Sequence, residues 1–310
     1  MIRLILPLIA ANLAAWGLAF AVFHGNTVLM GAALLAFTLG CRHAVDADHI
    51  AAIDNATRKL VQIGEPSSAT GLYFSLGHST VVWLASVGIA LMAGMAGSRF
   101  ALLRQIGGTL GTGVSALFLL GMAAANLMVL KGILAAIRRR KGGDTSDIAD
   151  VLAPRGFLAR LLRPVLRLVS RSRHMFAVGV LFGLGFDTAS EIGVLGISAA
   201  AAGGGLPLWT ILIFPALFTA GMSLLDTLDS VLMAGAYGWA FVDPGRKLYY
   251  NLAVTFVSVI AALILGGLEL ASLIPALPPL PATGLLGPLL IGSFALLWLG
   301  WAVMRLRRAG

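Results

Sequence analysis

Hydrophobic residues in this chain occur in long blocks that short polar segments separate. A helix that crosses a bilayer needs about 20 predominantly apolar residues, and about eight blocks approach or exceed that length. Several blocks are longer than this minimum, which favours tilted or broken helices. The pattern predicts about eight transmembrane helices, at residues 4–23, 28–56, 70–96, 106–137, 175–200, 208–239, 248–270 and 285–304.

Composition supports a membrane protein and excludes several other classes. The chain has 310 residues, of which 59% are hydrophobic and 11% charged. A soluble domain carries about 25% charged residues. The fold class predicted is therefore an all-α polytopic membrane protein. A single cysteine, Cys41, excludes a disulfide framework and makes a thiolate-rich copper or iron–sulfur site improbable on ligand grounds.

The basic residues predict the orientation of the helices. The net charge is +9, and the cations cluster at the ends of apolar blocks rather than in a patch suited to nucleic acid. With a cytoplasmic N-terminus, the outer loops keep only Arg99 and Arg104, whereas the basic run 138–141 lies inside. This asymmetry predicts that both termini are cytoplasmic. The first block is longer than the apolar core of a signal peptide, so we expect it to be retained.

A polar linker divides the membrane domain, residues 1–310, into two four-span halves. The halves are residues 1–137 and 175–310, and the basic linker covers 138–174. Apolar residues at helical spacing between arginines predict an amphipathic helix on the inner leaflet, with a solvated linker as the alternative. Residues 72–76 resemble 248–252, which suggests a weak parallel 4+4 repeat. Chance similarity between apolar segments is the other explanation.

Four ionisable residues, His43, Asp46, Asp48 and His49, lie within the second block. Ionisable groups in lipid are costly, so each is a functional-site hypothesis. On an ideal helix His43, Asp46 and His49 fall within a sector of about 120°, and Asp48 points elsewhere. Either the helix is kinked here or Asp48 serves a neighbouring helix.

Imidazoles with a carboxylate suit nickel, cobalt or zinc. The alternative is that Arg42 pairs with Asp46 and the histidines are core residues.

Further polar side chains occur in the third, fifth and sixth blocks. His78 lies at about the same depth as His43 in its own block, which favours a ligand. Asp187 and Glu191 are four residues apart, Asp226 and Asp229 are three apart, and each pair shares a helix face. Carboxylates this close repel each other unless a cation or a proton lies between them. These pairs therefore predict a cation pathway or a proton relay.

Other motifs predict structure rather than chemistry. Asp54 stands four residues before Arg58, as a helix-end salt bridge requires. Glycines at 108–113 imitate a phosphate loop, but Val114 stands where lysine is needed, so no ATP site is implied. The chain lacks His-Glu-x-x-His, which weakens an intramembrane zinc protease. We expect no cofactor, no nucleic acid and no ATPase subunit, and the lipid bilayer as surroundings.

Four segments carry a resemblance to a known family, at residues 42–50, 74–82, 184–191 and 221–229. In these segments the chain resembles the NiCoT family of nickel/cobalt transporters, over about residues 10–300. The resemblance implies that His43, Asp48 and His49 are central to metal recognition, with Asp46 beside them. It also implies a one-component permease of the cytoplasmic membrane with eight helices. Ser190 departs from the threonine more frequent in the family.

Together these observations predict uptake of Ni²⁺ or Co²⁺ through a mid-membrane site. His43, Asp46, Asp48 and His49 would form most of that site, and the polar residues of the other spans would complete it or relay the ion. The membrane potential or an ion gradient would drive uptake without ATP. The alternatives are an intramembrane metal-dependent hydrolase and a metal-binding membrane protein without transport. Nickel and cobalt accept the same ligands, so the sequence does not distinguish them.

Overall fold

A computed structural model of the chain describes residues 2–91, 98–141, 169–184, 189–242 and 248–274, with isolated helical positions between 289 and 299. Every regular element in these ranges is helical, as predicted. Apart from a short 3₁₀ turn at Ser172–His174, the elements are α1 (Ile2–Phe23), α2 (Thr27–Ala44), α3 (Ala47–Gln62), α4 (Thr70–Leu91), α5 (Ser98–Lys141), α6 (Met175–Gly183), α7 (Ala189–Gly203), α8 (Leu208–Ile211), α9 (Ile213–Val242) and α10 (Leu248–Ser272).

Within the described residues, six helical segments are long and apolar enough to cross a membrane. They correspond to the predicted first to fourth, sixth and seventh blocks. The fifth block contains α6 and α7, with residues 185–188 between them outside the described part, and the apolar segment Ser190–Gly203 is a shorter one. Most of the eighth block and residues 142–168 of the linker also lie outside it. The six segments are Leu4–Phe23, Thr27–Ala44, Thr70–Leu91, Thr112–Ala135, Leu208–Gly238 and Thr255–Ser272.

The second predicted block is a broken helix rather than a continuous one. α2 ends at Ala44, and Asp46 has extended backbone angles of φ −67° and ψ 144° before α3 begins. The backbone N–H of Asp46 still donates to the His43 carbonyl at 2.9 Å, so the chain turns tightly. The kink that the position of Asp48 suggested is therefore present. It leaves His43 in the last turn of α2 and His49 in the first turn of α3.

α9 is the central helix, because it packs against α1, α2, α3 and α4. Buried apolar side chains form two groups. One joins α1, α2, α4, α7, α8 and α9, and the other joins α3, α4, α5, α6 and α10. The break between α2 and α3 lies between these two groups. The two histidines beside the break, His43 and His49, are consequently enclosed by packed helices, whereas Asp46 and Asp48 are partly exposed.

Glycines let three pairs of helices approach closely. A Cβ atom on Gly71 of α4 would overlap the backbone carbonyl of Asp226 in α9. Gly40 of α2 meets the Phe218 backbone in the same way, and Gly77 of α4 meets the backbone of α6. Small residues commonly allow such approaches between membrane helices. The contact at Gly71 also fixes the position of the Asp226 backbone relative to α4.

We expect Gly71→Ala to destabilise the protein, because the added methyl group must push α4 away from α9. Overpacking of this kind costs about 1–3 kcal/mol. The matched control is Gly31→Ala, since a Cβ at this exposed position meets no atom within 4 Å. Alanine favours a helix over glycine by about 1 kcal/mol, so the control should be neutral or stabilising. Thermal unfolding in detergent measures both, and equal melting temperatures would contradict the close packing.

Candidate metal centre

Three histidines from three different elements meet in the interior. His43 of α2, His49 of α3 and His78 of α4 are each at most 2% exposed. Their ring centroids are 4.4 Å apart for His43 and His49, 4.7 Å for His43 and His78, and 4.9 Å for His49 and His78. One ring nitrogen of each lies within 4.8 Å of the others. This three-histidine cluster is the centre of the site.

Asp46 orients the first of these imidazoles. His43 Nδ1 lies 3.0 Å from Asp46 Oδ2, and since the carboxylate only accepts, the nitrogen donates. An aspartate that begins a helix usually accepts from the first-turn amides, but the Asp46 side chain makes no such bond to α3. Because Asp46 lies in the break, its carboxylate accepts from His43 instead. The Nε2 lone pair of His43 is then directed towards the other two histidines.

Glu191 adds a carboxylate to the cluster from α7. His78 Nε2 lies 2.9 Å from His43 Nε2 and 2.9 Å from Glu191 Oε1. With His43 Nε2 as an acceptor, the N–H of His78 is shared between two acceptors. Glu191 is 1% exposed, so its carboxylate is removed from solvent along with the rings. Imidazole and carboxylate groups thus converge on one point from α2, α4 and α7.

His49 and Asp226 face each other across the α3–α9 contact. The distance from His49 Nδ1 to Asp226 Oδ2 is 3.4 Å, and both side chains are fully buried. Neither ring nitrogen of His49 and neither oxygen of Asp226 has a hydrogen bond within the described residues. Burying polar atoms without such bonds is costly. A bound cation would supply the missing partner to both groups.

Aromatic rings and a second polar contact enclose the cluster. The Phe74 ring packs edge-on against His49 with centroids 4.8 Å apart, and Phe218 lies 5.6 Å from His43. Arg42 donates from Nη1 to the Ser190 hydroxyl at 2.9 Å. The alternative in which Arg42 pairs with Asp46 is therefore wrong, because Arg42 bonds to Ser190 and the Asp46 carboxylate accepts from His43. The contact instead ties α2 to α7 beside Glu191.

The structure brings together six of the nine predicted metal-site residues. Asp48 and Asp229 are near them: Asp48 lies within electrostatic range of His43 and Asp226, and Asp229 is one helical turn beyond Asp226. Asp187 lies outside the described residues. The contacts made by Phe74, Phe218 and Arg42 have no signal in the sequence. The six that converge are His43, Asp46, His49, His78, Glu191 and Asp226.

The donor set suits a borderline divalent cation. Imidazole nitrogens and carboxylate oxygens bind zinc, nickel and cobalt, whereas calcium and magnesium prefer oxygen alone. With ion–nitrogen bonds of about 2.0–2.1 Å, two imidazoles at right angles around one ion would be about 2.9 Å apart. The His43–His78 nitrogen separation of 2.9 Å is close to this spacing. Once His78 has released its Nε2 proton, small rotations of the rings would aim the Nε2 lone pairs of His43 and His78 at a shared ion.

Known proteins resemble this chain over most of its length. Residues 29–304 match the NicO family, described as "High-affinity nickel-transport protein". The "High-affinity nickel transport protein" of Cupriavidus necator is 55% identical over 270 residues, which cover 86% of this chain and 77% of that protein. "High-affinity nickel-transport protein NixA" of Helicobacter pylori is 41% identical over 305 residues, which cover 92% and 91%.

A relative named for cobalt is also similar. The "Cobalt transport protein NhlF" of Rhodococcus rhodochrous is 41% identical over 280 residues, which cover 89% of this chain and 79% of that protein. No solved structure matches the chain. The similarity to proteins named for two different metals leaves the ion undetermined between nickel and cobalt.

Asp46→Ala should weaken binding of Ni²⁺ to the detergent-solubilised protein by about 10–100-fold, because His43 loses the acceptor that orients its ring. Asp46→Asn keeps an oxygen acceptor in the same place and should lose less. Titration calorimetry measures both affinities, with Glu65→Ala as the control at a position away from the cluster. Equal affinities for wild type and Asp46→Ala would show that this carboxylate does not support the site.

Proposed function

The chain belongs to the NicO family of high-affinity nickel-transport proteins, and we propose that it carries Ni²⁺ or Co²⁺ across the membrane by way of the three-histidine cluster. The observation that carries this proposal is the convergence of His43, His49 and His78 from three elements. A buried group of imidazoles between apolar helices has little structural use, because leucine would pack there at lower cost. It is well suited to receive a dehydrated transition-metal ion.

We assign the site residues by their distances from the cluster. His43, His49 and His78 provide nitrogen ligands, and Glu191 and Asp226 provide carboxylates at its edges. Asp46 orients His43 and does not need to contact the ion. Asp187 and Asp229 stay proposals for relay positions at the entrance or the exit. Asp48, which the sequence placed in the site itself, stays a proposed member of it.

Transport through such a site needs no ATP if the membrane is negative inside. A membrane potential contributes about 2.3 kcal/mol per charge per 100 mV. At a potential of about 100 mV, the entry of a divalent ion is therefore favoured by about 5 kcal/mol. Buried carboxylates close to the histidines help to replace the hydration that the ion loses. We therefore propose potential-driven uptake into the cell through the cytoplasmic membrane, without a resident cofactor or an ATPase subunit.

The finer topology remains part of this proposal. Eight spans would place both termini in the cytoplasm, with residues 138–174 as a basic segment on the inner leaflet. Under the parallel 4+4 repeat, the α2–α3 unit corresponds to α9. The direct contact between His49 of α3 and Asp226 of α9 supports this arrangement, since the two corresponding segments meet at the site.

Replacing His43 or His49 with alanine should abolish accumulation of ⁶³Ni in cells, because each change removes a nitrogen ligand from the cluster. His24→Ala is the matched control, since His24 is exposed and its ring nitrogen contacts the Phe20 carbonyl in its own turn. Immunoblots of membrane fractions establish equal protein levels. Unchanged uptake by His49→Ala would refute the proposed site.

Flux through purified protein distinguishes transport from binding alone. In proteoliposomes with an imposed inside-negative potential, we expect uptake of Ni²⁺ or Co²⁺ that depends on concentration and saturates. Competition between the two metals in the same vesicles would show which one is preferred. Binding in detergent without flux in vesicles would favour a metal-binding protein that does not transport.

A further inference from the structure

A second buried polar cluster lies further along α3 from the histidines. Arg58 is the largest of the side chains that are less than 2% exposed. Its partners come from α3, α9 and α10, and the sequence indicated only the first of them. The group consists of the ion pair Asp54–Arg58 and the hydroxyl groups of Tyr237, Thr255 and Ser258, and we call it the hydroxyl-bridged pair.

Two hydroxyl groups connect the charges of the pair. Arg58 donates from Nη2 to the Tyr237 hydroxyl at 3.0 Å and to the Ser258 hydroxyl at 2.6 Å. Both hydroxyls in turn donate to the Asp54 carboxylate. The shortest direct distance from Arg58 to Asp54 is 3.9 Å, longer than a hydrogen bond. The salt bridge expected from the i,i+4 spacing therefore exists chiefly through Tyr237 and Ser258.

The hydroxyl-bridged pair lies in line with the three-histidine cluster. α3 and α9 run in the same direction, because His49 faces Asp226 and, further along both helices, Asp54 contacts Tyr237. Arg58 is nine residues beyond His49, or about 13 Å at 1.5 Å per residue. Towards the C-terminal ends of α3 and α9, the pair therefore follows the cluster. In the proposed orientation this direction leads to the cytoplasm.

Carboxylates occupy the interval between the cluster and the guanidinium. Asp229 is one turn beyond Asp226, and its Oδ2 is buried without a hydrogen bond within the described residues. It lies within electrostatic range of Asp54. A cation that leaves His49 thus meets Asp226, then Asp229, then Asp54, and finally the positive charge of Arg58.

We propose that the hydroxyl-bridged pair is the inner gate of the transporter, an inference that rests on the proposed function. In the closed state Arg58 is the counter-ion of Asp54 and repels a divalent cation that approaches through the buried acids. The gate opens when the arriving cation replaces Arg58 as the partner of Asp54, and α3 then separates from α9 and α10. The break at Val45–Asp46 provides the hinge for this movement of α3.

A purely structural brace would not need these charges. Replacing a buried ion pair by apolar residues of similar volume is often neutral or stabilising. The hydroxyls of Thr255, Tyr237 and Ser258 accept hydrogen bonds from both Nη atoms of Arg58, and all three belong to helices that must separate from α3 for the cation to pass. The bonds that close the path are the same bonds that α3 would break on opening.

The test is the rate at which nickel leaks from loaded vesicles. Proteoliposomes containing Arg58→Gln are preloaded with ⁶³Ni²⁺, clamped at zero potential with potassium and valinomycin, and diluted into medium with EDTA. Glutamine keeps hydrogen-bonding capacity but removes the charge, so we expect efflux about tenfold faster than wild type and weaker potential-driven accumulation. The matched control is Arg171→Gln, which removes the same charge at an exposed position.

Two further measurements separate a gate from other roles. Titration calorimetry should give wild-type affinity for Ni²⁺ in Arg58→Gln, because the three-histidine cluster is intact. Tyr237→Phe, which removes one bridging hydroxyl and keeps the ring, should show a smaller increase in efflux even if Arg58→Gln does not fold. Wild-type efflux in the folded variants would overturn the gate, as would loss of nickel binding. Absence of flux through the wild-type protein would instead refute the proposed function.

Discussion

The cost of burying ionisable side chains among apolar helices is the constraint on which this structure depends. Such groups are retained only where partners or a bound ion offset the lost hydration. The Asp46 and Glu191 carboxylates provide partners for His43 and His78 at 3.0 Å and 2.9 Å. His49 and Asp226 are satisfied much less well, although both are fully buried. A cation bound at the α3–α9 contact would therefore offset the largest desolvation cost among these groups.

The backbone makes this arrangement possible in two ways. The break after Ala44 turns α3 away from α2, so His43 and His49 face each other across a bend, and Asp46 is released from capping to orient His43. Close approach at Gly71 holds α4 against α9 at the level of Asp226. Broken helices are tolerated inside membranes where they line a polar site that other helices enclose. The proposed metal site and the fold therefore depend on the same few contacts.

The sequence predicted which polar residues come together better than it predicted which groups contact each other. Helical spacing placed His43, Asp46 and His49 on one side of the second span, and depth associated His78 with them. Which groups face each other across helices depends on the relative shift and rotation of those helices, which periodicity does not encode. Thus Asp226 opposite His49, and Ser190 rather than Asp46 as the partner of Arg42, became clear only from the structure. Tyr237 and Ser258 lie in apolar segments where one hydroxyl gives no distinct signal. The family resemblance, in contrast, is confirmed over residues 29–304.

In the proposed site, one ion is held by the imidazoles of His43, His49 and His78 together. X-ray absorption spectroscopy of the nickel-loaded protein tests this directly, because imidazole rings give a characteristic multiple-scattering pattern whose strength reports their number. We expect three imidazole nitrogens in the first coordination shell, with oxygen completing it, and two after any one of these histidines is replaced. A spectrum that contains only oxygen ligands, or one that is unchanged by replacing His49, would contradict it.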